Sequence, residues 1–199
     1  MIKIENLEVY GFEAATRGMR NPLNSWYKND TYQNVIGQND LQLLQRLCKA
    51  GESHRKALRQ MLVSFDITTA LYFYKEFDQY KVGVTTNSTS TMHKLCSRQL
   101  TFDDFSFDTE DTMTKMVIDN LNARISDYNE GMKQNKALWR SIIQLLPSAY
   151  NQTRTVTCNY EVILNMYQQR KNHKLKEWRD FCSYMYKNLP YLQDLLSVL

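Results

Sequence analysis

From Thr109 to about Lys133 the apolar residues Met113, Met116, Val117, Leu121, Ile125 and Tyr128 keep a helical period, which places them on one side of an α-helix. A helix this long has an apolar stripe that must be covered, so the chain has to supply other elements of comparable extent. Three more helical patterns follow. Asn135 to Leu146 is stopped by Pro147, a third helix runs from Thr157 or Cys158 to Arg170, and a fourth from Leu175 to Leu189 ends before Pro190. With 6 glycines and 3 prolines in 199 residues, the chain lacks the turn residues that a sandwich or barrel requires.

The N-terminal part adds extended segments. Met1 to Tyr10 carries Ile2, Ile4, Leu7 and Val9, an alternation interrupted at Glu5-Asn6, and reads as a strand. Glu13 to Arg20 starts a helix, and 21–38 is polar and loop-rich. Asp40 to Lys49 has Leu41, Leu43, Leu44 and Leu47, with Asp40 as N-cap and Gly51 beyond its end. Ala57 to Ile67 ends as an alternating strand. Thr68 or Thr69 caps a helix through Tyr80, and Gly83 to Thr91 reads as a loop. The expectation is one α+β domain spanning 1–199.

Composition narrows the function. A net charge of +4 permits an anionic ligand but does not point to nucleic acid, whose binders show a clustered basic face. The run Arg170-Lys171-Asn172-His173-Lys174-Leu175-Lys176 would serve a nucleic-acid or helical-interaction protein, but it reads more simply as charge favoured at a helix end. Cys48, Cys96, Cys158 and Cys182 are far apart in sequence, so no zinc knuckle or Cys-x-x-Cys pair is present and no metal is expected. Three of these thiols are expected to be buried. The chain opens without an apolar signal region and shows no membrane-length apolar run, so a cytoplasmic protein with no membrane partner is expected.

Three polar runs are candidates for chemistry. In 159–170, Asn159, Ile163, Met166 and Arg170 share a stripe at about 100° per residue, with an amide at one end and a guanidinium at the other. Such a stripe suits a flat anionic ligand; the plain alternative is a capping Asn and a surface Arg. Gly51-Glu52-Ser53-His54-Arg55 gathers an acid, a hydroxyl, an imidazole and a guanidinium, a set that binds phosphates or flavin edges. Lys75 to His93 holds Lys81, Asn87 and Ser90 in a Ser/Thr/Asn-rich stretch whose backbone amides suit a phosphate.

In order, these runs resemble the flavin-dependent thymidylate synthases. Leu146-Pro147, then Asn159, Asn165 and Arg170, then Glu177-Trp178-Arg179, match that family's Leu-Pro, its Asn-x-Arg-x-x-x-Asn, its Leu-Arg and its Glu-Ile-Arg. Glu161 stands where the family has Arg, and Gln169 where it has Leu. Gly51 to Arg55 resembles a Gly-His-Glu-Ser-like segment, and Ser64-Phe65-Asp66-Ile67 the strand after it. Asn87 and Ser90 fit the Asn and second Ser of the signature Arg-His-Arg-x-x-Ser-x-Asn-Glu-x-Ser-x-Arg-Tyr. Its Arg-His-Arg falls on Tyr80-Lys81-Val82, or one residue earlier if the loop carries an insertion, its Glu on Ser88 and its last Arg on Met92.

The resemblance implies a small, mostly antiparallel sheet with several helices, one of them long. It implies FAD as cofactor, with NADPH and methylenetetrahydrofolate as co-substrates, and one-carbon transfer to C5 of a pyrimidine deoxynucleotide. Arg170 would be the catalytic residue, holding and polarising the pyrimidine. His54, Lys81, Asn87, Asn159 and Asn165 would contact FAD, and Glu52, Ser53, Ser90 and Arg170 the substrate. A homotetramer follows by analogy. The lost arginines motivate the alternative, a catalytically inactive relative of the fold acting as a nucleotide- or protein-binding oligomer.

Overall fold

The computed structural model describes residues 2–131 and 134–199, so Met1 and the expected helix end at Met132 and Lys133 lie outside the described residues. Four strands, β1 (Ile2–Tyr10), β2 (Leu62–Ala70), β3 (Thr85–Ser88) and β4 (Asn151–Asn159), form one antiparallel sheet in the order β1-β2-β4-β3. The helices among the described residues are α1 (Phe12–Met19), α2 (Gln38–Lys49), α3 (Leu71–Phe77), α4 (Thr91–Lys94), α5 (Thr112–Glu130), α6 (Lys136–Leu145), α7 (Tyr160–Arg170), α8 (Lys176–Asn188) and α9 (Leu192–Leu196). The class is α+β, as expected. No helix among the described residues is long and apolar enough to cross a membrane.

The interruption in β1 has a structural cause. Asn6 takes φ 51° and inserts one extra residue between Ile4 and Leu7, so the apolar residues on both sides keep to one face. Its amide donates to Asp66 Oδ2 at 2.7 Å.

Several expected boundaries move. Gly37, not Asp40, is the N-cap of α2. Asp40 lies inside the first turn, fully buried, and accepts from Arg20 Nε at 2.6 Å, Asn29 Nδ2 at 2.9 Å and Thr31 Oγ1 at 2.7 Å. Removing this carboxylate would strand a buried guanidinium, which costs more than the loss of a cap. Thr68 and Thr69 belong to β2, and α3 begins after Ala70 and ends at Phe77. The expected 83–91 loop contains β3 and ends at Ser90, the N-cap of α4. Extended backbone continues through Asn159, so α7 starts two residues later than expected from Cys158.

The chain divides into two compact units. One contains Ile67–Gln79 and Asn87–Arg154. Its core joins Leu95, Leu100 and Phe105 to Ile118, Leu121 and Ile125 of α5 and Ile142 of α6, so the stripe is covered from Val117 onward, whereas Met113 and Met116, expected on the same side, are 67% and 59% exposed. Asp111 caps α5 by accepting from Thr114 N–H, and Asn135 caps α6.

The other unit contains Ile4–Asp66, Tyr80–Thr86 and Thr155–Leu199. Phe12 meets Tyr160 and Tyr191 edge-on at 5.5 Å, and Phe65 of β2 meets Phe181 of α8 at 5.9 Å. Cys48, Cys158 and Cys182 are buried and Cys96 is half-buried. Burial pushes the Cys158 and Cys182 thiols up to about 12.

Candidate functional site

In the second unit α7 organises the sequence-predicted residues. Asn159 is its N-cap, accepting from Val162 N–H at 3.1 Å, the assignment of the plainer reading. Its amide nitrogen meets the 80–86 segment at Gly83, where φ is +75° and an added Cβ would lie 2.7 Å from Asn159 Nδ2. Only glycine permits both this backbone angle and this approach. Lys81, two residues away, is exposed.

Arg170 ends α7 and is half-buried. Its Nε donates to Tyr80 Oη at 3.0 Å, and Tyr80 Oη donates to Gln169 Oε1 at 2.8 Å. The guanidinium carbon lies 5.2 Å from the Trp178 ring and 5.8 Å from the Tyr80 ring, within cation–π range. Tyr80 and Trp178 themselves meet edge-on at 6.0 Å. A permanent cation is thus fixed in orientation against two aromatic rings, an arrangement able to hold a planar, electron-rich heterocycle.

Asn165 lies elsewhere on the helix. Its Oδ1 accepts from Arg55 Nη2 at 3.4 Å. Arg55 also donates through Nε to Glu161 Oε1 at 3.2 Å and reaches Glu52 Oε1 at 3.4 Å. Glu161 and Arg170 are nine residues apart; at about 100° per residue they face opposite sides of α7. The structure therefore brings Glu52 and Asn165 together around Arg55, and separates both from Arg170.

Ser53 and His54, exposed, line a cavity of about 540 Å³ together with Gly18, Asn21, Lys56 and Gln60. Its volume lies in the range of small-molecule sites. A Cβ on Gly18 would approach Gln60 Oε1 to 3.0 Å, so the glycine keeps this wall open. Apolar Met19, Pro22, Leu47 and Ala57 complete the lining. With apolar walls, His54 and Lys56 at hand and amide groups from Asn21 and Gln60, the cavity offers both apolar contact and hydrogen-bond donors to a small ligand.

Asn87 and Ser90 belong to the other unit. Asn87 is exposed in β3, and Ser90 Oγ accepts from His93 N–H at 3.3 Å. Among the described residues no group of three or more His, Cys, Asp or Glu could hold a metal ion.

Reading the sequence missed Tyr80, Trp178 and Arg59 as parts of these clusters. Trp178 stood within the C-terminal motif and Tyr80 under the signature's Arg-His-Arg, but neither was linked to Arg170, 90 residues from Tyr80; Arg59, which pairs with Glu161 102 residues away, carried no signal.

The sheet and helices define the fold of the flavin-dependent thymidylate synthases. Thymidylate synthase X from Helicobacter pylori, solved with FAD and dUMP, superposes with a TM-score of 0.77 over 98% of this chain and 97% of that chain at 16% identity. A second structure of the same H. pylori enzyme, also complexed with FAD and dUMP, gives 0.76 over 99% of both chains at 15% identity. A UMP/dUMP methylase, PolB from Streptomyces cacaoi, bound with 5-Br dUMP, gives 0.67 over 100% of this chain and 96% of that chain at 10% identity. No protein-family profile matches the sequence, and no curated protein matches it.

Proposed function

We propose that this protein is a flavin-dependent enzyme that adds a one-carbon unit to C5 of a pyrimidine deoxynucleotide. The observation that carries the reading is Arg170, a guanidinium fixed by Tyr80 and Trp178 in a fold shared with enzymes solved with FAD and dUMP. Bound FAD supplies the redox chemistry, with NADPH and methylenetetrahydrofolate as co-substrates. The chain's own residues bind and orient. Arg170 holds the pyrimidine and polarises it, a role that needs a permanent cation. His54, Lys81, Asn87, Asn159 and Asn165 are assigned to FAD; the 540 Å³ cavity, lined by His54 and by none of the other four, supports the part of His54. Asn159 contributes only its amide nitrogen, since its oxygen is held by Val162. Glu52, Ser53 and Ser90 contact the nucleotide.

The division of α7 supports an oligomer. Asn165 and Arg170 project from sides of α7 that diverge by about 140°, so FAD at Asn165 and the pyrimidine at Arg170 would lie on different sides of one helix, and bringing the two ligands together calls for a second copy of the chain. A homotetramer with sites shared between subunits is the assembly this reading implies.

A nucleotide-binding oligomer without turnover is the second reading. The buried Glu161, which engages Arg55 and Arg59 where the resembling family carries a cation, favours it. Incubation with dUMP, FAD, NADPH and methylenetetrahydrofolate separates the two. Mass analysis detecting thymidylate in the wild type and none with Arg170→Ala supports the enzyme. Unconverted dUMP with bound FAD leaves the binding oligomer.

A further inference from the structure

The strongest unassigned chemistry lies where the turn at Lys56–Arg59 meets α7. Glu161 is 8% exposed and Arg55 5% exposed, so a carboxylate and a guanidinium sit together out of water. Arg59 is bound to the same carboxylate, yet its side chain is 53% exposed. Its Nε engages Glu161 Oε2 and its Nη2 lies 3.5 Å from Oε1. These two nitrogens form one edge of the guanidinium. The other edge, Nη1 with Nη2, is a second fork of parallel N–H donors, and a fork of this shape matches two phosphate oxygens. Glu52 also reaches Arg55 at 3.4 Å, so two arginines and two glutamates balance, and it is the free fork of Arg59 rather than excess charge that offers itself to an anion.

Asn165, one helical turn after Glu161, adds an amide. Its oxygen is used by Arg55, which leaves its amide nitrogen as a donor. A long, exposed arginine normally loses much rotamer freedom when it grips an anion. Here Glu161 fixes the guanidinium beforehand, and Arg55 holds Glu161 in place through Nε at 3.2 Å.

The geometry points to Arg59 as an anion-binding residue for the diphosphate of a nucleotide ligand, with Glu161 and Arg55 as its positioning residues. The inference rests on the flavin reading only for the identity of the occupant, the diphosphate of FAD. A mere staple between the turn and α7 would use the same ion pairs, so the test must separate grip from stability.

The test is titration calorimetry of the full chain with inorganic pyrophosphate and, separately, with FAD, on wild type, Arg59→Gln, Arg59→Lys and Glu161→Gln, with melting temperatures recorded. Arg59→Gln should weaken both ligands about tenfold, the loss of one charge-assisted fork, with little change in melting because the side chain is half-exposed. Arg59→Lys should fail to restore binding, since it keeps the charge and loses the fork. Glu161→Gln should also weaken pyrophosphate although it makes the cluster more positive; should that variant not fold, the two Arg59 variants decide. Wild type that does not bind pyrophosphate, Arg59→Gln that binds it as wild type does, or Glu161→Gln that binds it more tightly would each overturn the assignment. Arg59-dependent pyrophosphate binding without FAD binding would sink the flavin reading alone. FAD and pyrophosphate binding indifferent to Arg59 would sink this inference alone.

Discussion

Replacing Tyr80 by Phe deletes one oxygen and keeps the ring that meets Trp178 at 6.0 Å. That oxygen accepts from Arg170 Nε at 3.0 Å and donates to Gln169 at 2.8 Å. A hydrogen bond to a charged group contributes about 1.5–3 kcal/mol. Tyr80 is half-buried and Arg170 would retain its position 5.2 Å over Trp178, so the lower figure applies. About 1.5 kcal/mol is about tenfold in a dissociation constant. If Arg170 grips the nucleotide, loosening it should weaken dUMP by up to about that factor, and loss of the same bond should lower global stability by no more than about 1.5 kcal/mol. Calorimetric titration of dUMP into FAD-loaded wild type, Tyr80→Phe and Arg170→Ala measures the effect, and urea unfolding measures the stability. The reasoning is refuted if Arg170→Ala abolishes dUMP binding and Tyr80→Phe leaves it unchanged, because the hydroxyl would then have no part in aiming the guanidinium.

Asp40→Ala should cost about 3–5 kcal/mol in urea unfolding, because it leaves the buried Arg20 guanidinium without its carboxylate; a loss under about 1 kcal/mol would contradict the network's importance. Gly83→Ala places a methyl group against Asn159 Nδ2 at a φ of +75°; about 1–3 kcal/mol of strain is expected, read as a lower melting temperature together with weaker FAD binding. Native protein should show at most one readily labelled thiol, Cys96, since the other three are buried; fast labelling of two or more would argue against the packing. The folded Cys158 and Cys182 thiols stay protonated to about pH 12, whereas unfolded thiols ionise near about 8.5. The stability these neutral thiols contribute is complete below the unfolded value and is lost as pH rises from there toward 12, so unfolding free energy should fall above about pH 9, and Cys158→Ala should flatten that fall.

The long helix was legible because Met113 to Tyr128 repeats a spacing that only a helix places on one side, and Asn135 and Pro147 bracketed α6 by their local chemistry. β4 was not legible. Its sequence NQTRTVTCN alternates threonines with only two apolar residues, Val156 and Cys158, and its place between β2 and β3 comes from pairing with remote segments. β3, TTNS, is exposed throughout and carries no apolar pattern at all. Asp40 looked like a cap because its chemistry suits one; its partner, Arg20, is twenty residues back. Within the site, Arg170 and Asn159 stood out through spacing and family resemblance, but what each one touches did not. The aim of Arg170 depends on Tyr80, and the meaning of Glu161 depends on Arg55 and Arg59, which are 106 and 102 residues away. Local pattern reports which face a residue shares, and tertiary contact decides what that face does.

The flavin-and-nucleotide reading is tested most directly by a visible absorption titration of the purified protein with FAD, followed by dUMP. The account predicts a saturable flavin band that shifts when dUMP is added, with the dUMP-induced shift lost in Arg170→Ala. A well-folded protein whose added FAD keeps the spectrum of free flavin, with or without dUMP, would contradict it.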